Sequence, residues 1–183
     1  MGHRSIGLIA AILLIGGTGT ASFAQQPAST PVERGKYLVT VMDCHGCHTP
    51  FKMGQPDMTR MLIGHPQEIK ITAAPSLPPG GPWGLAASET NTAWAGPWGV
   101  SFTPNLTPDR ATGLGAWTEE MFVNAIRKGK HLGAAGGRDI LPPMPWASYS
   151  ALTDADLKAV FAYLKTIPAV VNRVPNPIPP AGR

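Results

Sequence analysis

The chain has 183 residues, 43% hydrophobic and 14% charged, with 21 Gly, 20 Pro and a formal net charge of +4. That length allows one domain rather than two large ones, and so much Gly and Pro excludes a long coiled coil. The basic residues are scattered, so no clustered stripe points to nucleic acid, and two Cys cannot build a multi-bridge disulfide framework.

At the start of the chain, Arg4 supplies a basic n-region, residues 6–17 an apolar h-region and residues 21–24 a small-residue cleavage site. A run of about 12 apolar residues is too short to cross a bilayer core of roughly 30 Å. Residues 1–24 are therefore expected to be a signal peptide. The remainder, 25–183, is expected to be exported to the periplasm with no membrane span and a net charge of about +3.

Thr30-Pro31-Val32-Glu33 reads as a capping box with Pro at the first helical position. It predicts a helix through about Met42, with Val32, Leu38, Val39 and Met42 as its apolar stripe. Thr118, with Glu119 and Glu120 behind it and Gly129 beyond, brackets a second helix that buries Met121, Phe122, Ala125 and Ile126. Thr153 opens a third, where Leu157, Val160, Phe161 and Leu164 fall at helical spacing before Ile167-Pro168.

Residues 53–100 hold 14 Gly or Pro and no clear periodicity, which predicts an ordered, Pro/Gly-rich insertion. Within it, Gly81-Pro82-Trp83-Gly84 recurs as Gly96-Pro97-Trp98-Gly99, read as two turns whose indoles plug a loop core. Residues 168–183 carry five Pro and read as an extended tail.

Cys44-His45-Gly46-Cys47-His48 matches the C-x-x-C-H haem-attachment pattern. Thiols one helical turn apart can each form a thioether with a haem vinyl group, and the adjacent imidazole then serves as proximal iron ligand. A thioredoxin-like C-x-x-C needs a βαβ context that residues 30–60 lack. A structural zinc site wants four ligands, and no second Cys pair exists. A disulfide is sterically possible but leaves His48 unexplained. For the sixth iron ligand, Met144 sits among Pro142, Pro143 and Pro145, a rigid strap able to hold a thioether at little ordering cost. Met121, Met53, Met58, Met61, His65 and His131 remain other candidates.

These features together resemble the monohaem class I c-type cytochromes of bacteria. The resemblance rests on the Gly35 helix running into Cys44–His48, on Thr103-Pro104-Asn105-Leu106-Thr107-Pro108-Asp109, and on Gly113 to Thr118. The Met144 strap and Phe161 to Leu164 complete it. It looks most like the cytochrome subunits serving alcohol and aldehyde dehydrogenases, which usually carry three such haem motifs where this chain has one. The resemblance implies an all-α haem domain in which Gly35 meets Phe161 or Tyr163. It further implies that the Pro104 carbonyl accepts the proximal imidazole N–H and that Leu106 packs on the porphyrin. Arg110, Arg138 and Trp146 are candidate donors to the haem propionates.

The expected function is an exported carrier of single electrons through one covalent haem c with His48 and Met144 as axial ligands. Its partners would be redox proteins, a dehydrogenase on one side and a respiratory acceptor on the other, with no substrate transformed. Two rivals are a haem enzyme with a displaceable distal ligand and a non-catalytic subunit whose insertion is a docking surface.

Overall fold

In the computed structural model, which describes Met1 and residues 29–76 and 81–180, the capping box at Thr30 is complete. The Thr30 hydroxyl accepts from the Glu33 amide at 3.2 Å, and the Glu33 carboxylate accepts from the Thr30 amide at 2.8 Å. It opens α1, Pro31–Val41. Apart from Met1, the expected signal peptide lies outside the described residues.

Helix α1 buries Gly35, Leu38 and Val39 against the helix at Asp154–Leu164, which Thr153 caps. At the crossing a Cβ on residue 35 would lie 1.9 Å from the Ala159 carbonyl oxygen and 2.8 Å from the Tyr163 Cβ. Only glycine permits so close an approach. Tyr163 is thus the aromatic neighbour of Gly35, while Phe161 packs on Phe122 with ring centroids 5.3 Å apart. Val32, expected in the stripe, is 38% exposed, because Gly35, Leu38 and Val39 take up the contact face.

The helix Glu119–Lys128 starts at Thr118 and ends on Gly129, whose φ of 62° lies in the left-handed region. Its buried face is Phe122, Ala125 and Ile126, with Met121 only half-buried. Phe122 and Ile126 join Leu38, Val39, Leu62, Leu114, Leu157, Val160, Phe161, Leu164 and Ile167 in the main core. A short helix, Trp146–Tyr149, packs beside them. In chain order the helices are α1, α2 (Cys44–His48), α3 (Glu119–Lys128), α4 (Trp146–Tyr149) and α5 (Asp154–Leu164).

The expectation of an all-α fold is wrong. The structure is 32% helical with 11% in strands, arranged in two small sheets. β1 (Phe51–Lys52) and β2 (Gln55–Pro56) form a short hairpin. β3 (Ala86–Ala87), β4 (Ala93–Gly96) and β5 (Gly99–Phe102) form an antiparallel sheet in that order. The physical cause is the two-residue Pro97-Trp98 turn, which folds β5 back on β4 in the register Gly96 to Gly99 and Ala93 to Phe102. Ala93, Ala95, Val100 and Phe102 then close a second, smaller core with Ile71, Val174 and Ile178.

The tail belongs to this second core rather than trailing from it. Val100 and Ile178 exchange both backbone hydrogen bonds, at 2.8 and 2.9 Å. Gly99, at φ 91°, allows this: a Cβ there would meet the Ile178 carbonyl oxygen at 2.0 Å. The two Gly-Pro-Trp-Gly copies have different fates. The second makes the β4–β5 turn, with Trp98 packed over Gly96, whereas Trp83 of the first is 76% exposed and plugs nothing.

Candidate functional site

Helix α2 is barely more than one turn and depends on its cap. Asp43, in the left-handed region at φ 52°, accepts the Gly46 amide on its carboxylate at 3.1 Å. The turn brings Cys44 and Cys47 onto one face, as residues three apart in a helix must be. Both line the same cavity as His48. Burial pushes the Cys44 thiol up to about 12 and, together with the neighbouring Asp43 charge, raises Cys47 as well. These are neutral thiols, the reverse of the depressed pKa that a redox-active C-x-x-C requires.

His48 is 5% exposed, and its Nδ1–H donates to the Pro104 carbonyl at 2.9 Å. A carbonyl can only accept, so the proton is on Nδ1 and the Nε2 lone pair is free. Burial pulls its pKa down to about 4, against a smaller upward push from the Pro104 contact, so the imidazole is neutral at physiological pH. The ring is thereby oriented as a nitrogen donor.

What holds Pro104 over His48 is the start of the insertion. Gly64 donates its amide to the His48 carbonyl at 2.8 Å, and His65 donates its own to Thr103 at 2.9 Å. Leu62 donates to the Thr49 hydroxyl at 3.0 Å, and its carbonyl accepts the Leu106 amide at 2.9 Å. Leu62 is fully buried in the main core. Residues 62–65 therefore lace the haem motif to residues 103–106, and the insertion is not a separable loop.

The cavity walls are largely apolar, built by Leu106, Leu114, Phe122, Ile126, Leu157, Val160 and Leu164. Met144, Pro104 and Leu106 line it together with the C-x-x-C-H residues, so all six residues singled out from sequence converge on one cavity. Of the other ligand candidates, His131 also lines it. His65 does not: it is fully buried elsewhere, with Nδ1 3.0 Å from the Thr92 hydroxyl and Nε2 3.1 Å from the Ile69 carbonyl. Met53, Met58, Met61 and Met121 lie off the wall, as do Arg110 and Trp146. Sequence reasoning missed Ser101, Phe102, Thr103 and Tyr149, which also line the cavity. Their adjacency to Pro104 and to the Met144 strap was the available signal. Tyr149 reaches across to the Met42 carbonyl at 2.7 Å.

The family model for cytochrome c matches residues 32–168. The chain belongs to the cytochrome c family. Over 160 residues the cytochrome is 31% identical to the fructose dehydrogenase cytochrome subunit of Gluconobacter japonicus, covering 85% of this chain and 26% of that one. It is 33% identical over 149 residues to the gluconate 2-dehydrogenase cytochrome c subunit of Pantoea cypripedii, covering 79% and 26%. The cytochrome c subunit of the quinone alcohol dehydrogenase of Gluconobacter oxydans is 30% identical over 156 residues, covering 85% and 25%. The cytochrome thus spans about a quarter of the length of these relatives.

Its cofactor, as a member of that family, is covalently bound haem c. The cavity suits that group on its own chemistry. It offers two neutral thiols three residues apart, a neutral imidazole with its lone pair free, a thioether and an apolar wall. The zinc alternative finds no support, since no group of three His, Cys, Asp or Glu is placed to hold a metal among the described residues. Nor is any described helix long and apolar enough to cross a membrane.

Proposed function

We propose that this cytochrome is exported to the periplasm and passes single electrons from a dehydrogenase to a respiratory acceptor. Cys44 and Cys47 would hold the haem covalently, and His48 and Met144 would be the ligands to its iron. The observation that carries the ligand reading is the His48–Pro104 hydrogen bond, which leaves Nε2 free in a cavity that Met144 also lines. Haem c supplies a one-electron ferric/ferrous couple when bound. The protein's share is to orient a basic imidazole through Pro104, hold a thioether on a proline-stiffened strap and keep water out with leucine and phenylalanine walls. A thioether ligand favours the ferrous form and fills the coordination sphere, which suits reversible transfer over oxygen chemistry.

Export rests on the n-region, h-region and cleavage pattern of residues 1–24, with 25–183 as the mature domain. The dehydrogenase partner rests on the likeness to the fructose, gluconate and alcohol dehydrogenase subunits. Replacing Met144 by Ala tests the ligand set. Ferric wild type should be low-spin with a weak far-red sulfur-to-iron band. The variant should lose that band, bind cyanide and fall in potential. An unchanged spectrum would exclude Met144 and turn attention to His131, which lines the same cavity.

A further inference from the structure

His65 is a fully buried titratable group outside the haem cavity. Its Nε2 lies 3.1 Å from the Ile69 carbonyl, which can only accept, so Nε2 carries the proton of the neutral ring. Nδ1, 3.0 Å from the Thr92 hydroxyl, is then an acceptor. The chain of hydroxyls does not stop at Thr92. Thr92 Oγ1 is 2.7 Å from Thr90 Oγ1, which is 3.1 Å from Ser88 Oγ. At the far end Ser88 Oγ accepts the amides of Ala93 at 3.0 Å and Thr92 at 3.4 Å. Both its lone pairs are used, so its own proton points to Thr90. The two ends thus set one direction: Ser88 donates to Thr90, Thr90 to Thr92 and Thr92 to His65.

This row leads outward. Thr92 is fully buried, whereas Ser88 and Thr90 are half-buried on the β3–β4 turn beside exposed Glu89. Packing alone would need one partner for Nδ1, not three hydroxyls in line toward the surface. On its other side the His65 ring packs on Phe102, with centroids 4.9 Å apart, and Phe102 lines the haem cavity. Of the charged groups on the surrounding elements, Glu68 and Lys70 act on His65 in opposite directions, and Arg60 engages Glu68 at 2.7 Å. Glu89 lies on the β3–β4 turn, Arg173 follows the Asn172 that holds the His65 carbonyl, and β5 brings no charge.

We propose that His65 takes up a proton through the Ser88–Thr90–Thr92 chain when the haem is reduced, so that electron carriage is coupled to proton uptake. The inference rests on the haem-binding reading above. Each electron delivered by the redox donor is matched by a fraction of a proton drawn from water. Ser88 passes its hydrogen to Thr90 and takes one from solvent, Thr90 passes its own to Thr92, and Thr92 passes its own to Nδ1. Only hydrogens move, and the long Thr92 amide contact to Ser88 is the one that yields. Reduction removes a positive charge from the cavity, so an imidazolium one aromatic ring away becomes less costly, and by reciprocity a protonated His65 raises the reduction potential. Burial holds the His65 pKa below its ordinary value, which puts the effect on the acid side of about 6.5.

The test is redox titration of the purified holoprotein from neutral to mildly acid pH, comparing wild type with His65→Gln and Thr90→Val. The wild-type midpoint potential should rise as the pH falls. His65→Gln, whose amide can make both side-chain hydrogen bonds but cannot charge, should flatten that rise with the far-red band intact. Thr90→Val should keep the equilibrium rise but lose it in fast-scan voltammetry, where wild type still shows it. Should the Gln variant fail to fold, nuclear magnetic resonance titration of the wild-type His65 imidazole decides, with a higher pKa expected in the reduced than in the oxidised protein. An undiminished rise in His65→Gln, or equal His65 pKa values in the two oxidation states, would overturn the proposal. Thr90→Val that matches wild type at every scan rate would overturn the hydroxyl chain as the route. A wild type that binds no covalent haem would instead overturn the reading beneath it.

Discussion

Ser101 Oγ donates to the Pro142 carbonyl at 2.5 Å, joining β5 to the strap that bears Met144 across 41 residues of sequence. The same oxygen accepts the Trp98 indole N–H at 3.3 Å, so the β4–β5 turn indirectly steadies the strap. Ser101→Ala should leave the Pro142 carbonyl unmatched, at a cost of about 1–3 kcal/mol. The far-red band should survive while cyanide enters faster, as stopped-flow mixing would show. Identical cyanide kinetics would mean that the prolines alone hold the strap.

Gly35 sits where α1 and α5 touch backbone to backbone. Gly35→Ala must push the helices apart, and overpacking of this kind costs about 1–3 kcal/mol or somewhat more. Helix propensity works in the opposite direction by up to about 1 kcal/mol, so net destabilisation would identify the crossing as the dominant effect. Urea unfolding of the holoprotein reads the sum.

Asn172 is 3% exposed and binds the insertion to the tail. Its side chain accepts from Gln67 and donates to the carbonyls of Ile63 and His65, at 2.9, 2.7 and 3.0 Å. Asn172→Ala should cost about 3 kcal/mol by leaving buried backbone groups unpaired. Asn172→Asp should be comparably harmful, because a carboxylate cannot donate to two carbonyls. Thermal melts decide it, and a change below about 1 kcal/mol would show that water replaces the amide.

His65 predicts an acid-side loss of stability. Its Nε2–H donates to Ile69, its Nδ1 takes the Thr92 hydroxyl proton, and burial holds its pKa below the ordinary value. The unfolded chain therefore binds the extra proton more readily, near its ordinary pKa of about 6.5. This contribution is complete above that pH and is lost as the pH falls toward the folded value. His131 shifts the same way, so part of the slope should persist in His65→Gln. Denaturation midpoints measured from pH 7.5 to 5.0 should show a shallower fall in that variant than in wild type.

The candidate site was largely legible because its chemistry is local. A haem-attachment motif must keep its thiols one turn apart and its imidazole adjacent, so Cys44, Cys47 and His48 stand out from spacing alone. Met144 is marked by its three prolines. The cap at Thr30, the Gly129 stop and the α5 stripe were equally visible, since each is decided within one or two helical turns. The sheet was not legible, because strands of two to four residues carry too little periodicity to recognise.

Sequence by itself determined the haem motif and the three long helices, set by spacings of a few residues, whereas the glycine at the α1–α5 crossing was implied only by the family resemblance. Tertiary structure decided which residues surround the motif. Nothing near Ser101 in the chain announces Pro142, and nothing near Leu62 announces Leu106. Two Gly-Pro-Trp-Gly tetrapeptides, identical in sequence, end as a packed hairpin and an exposed indole, because only the second has Val100 beside it to pair with Ile178. Arg138 turned from one of several equivalent cations into the one on the cavity wall because backbone pairing of residues 129–140 fixed its side, while Asp139 claimed Lys130. Local propensity cannot encode such choices, since each depends on hydrogen-bond partners tens of residues away that come within reach only once both cores have closed.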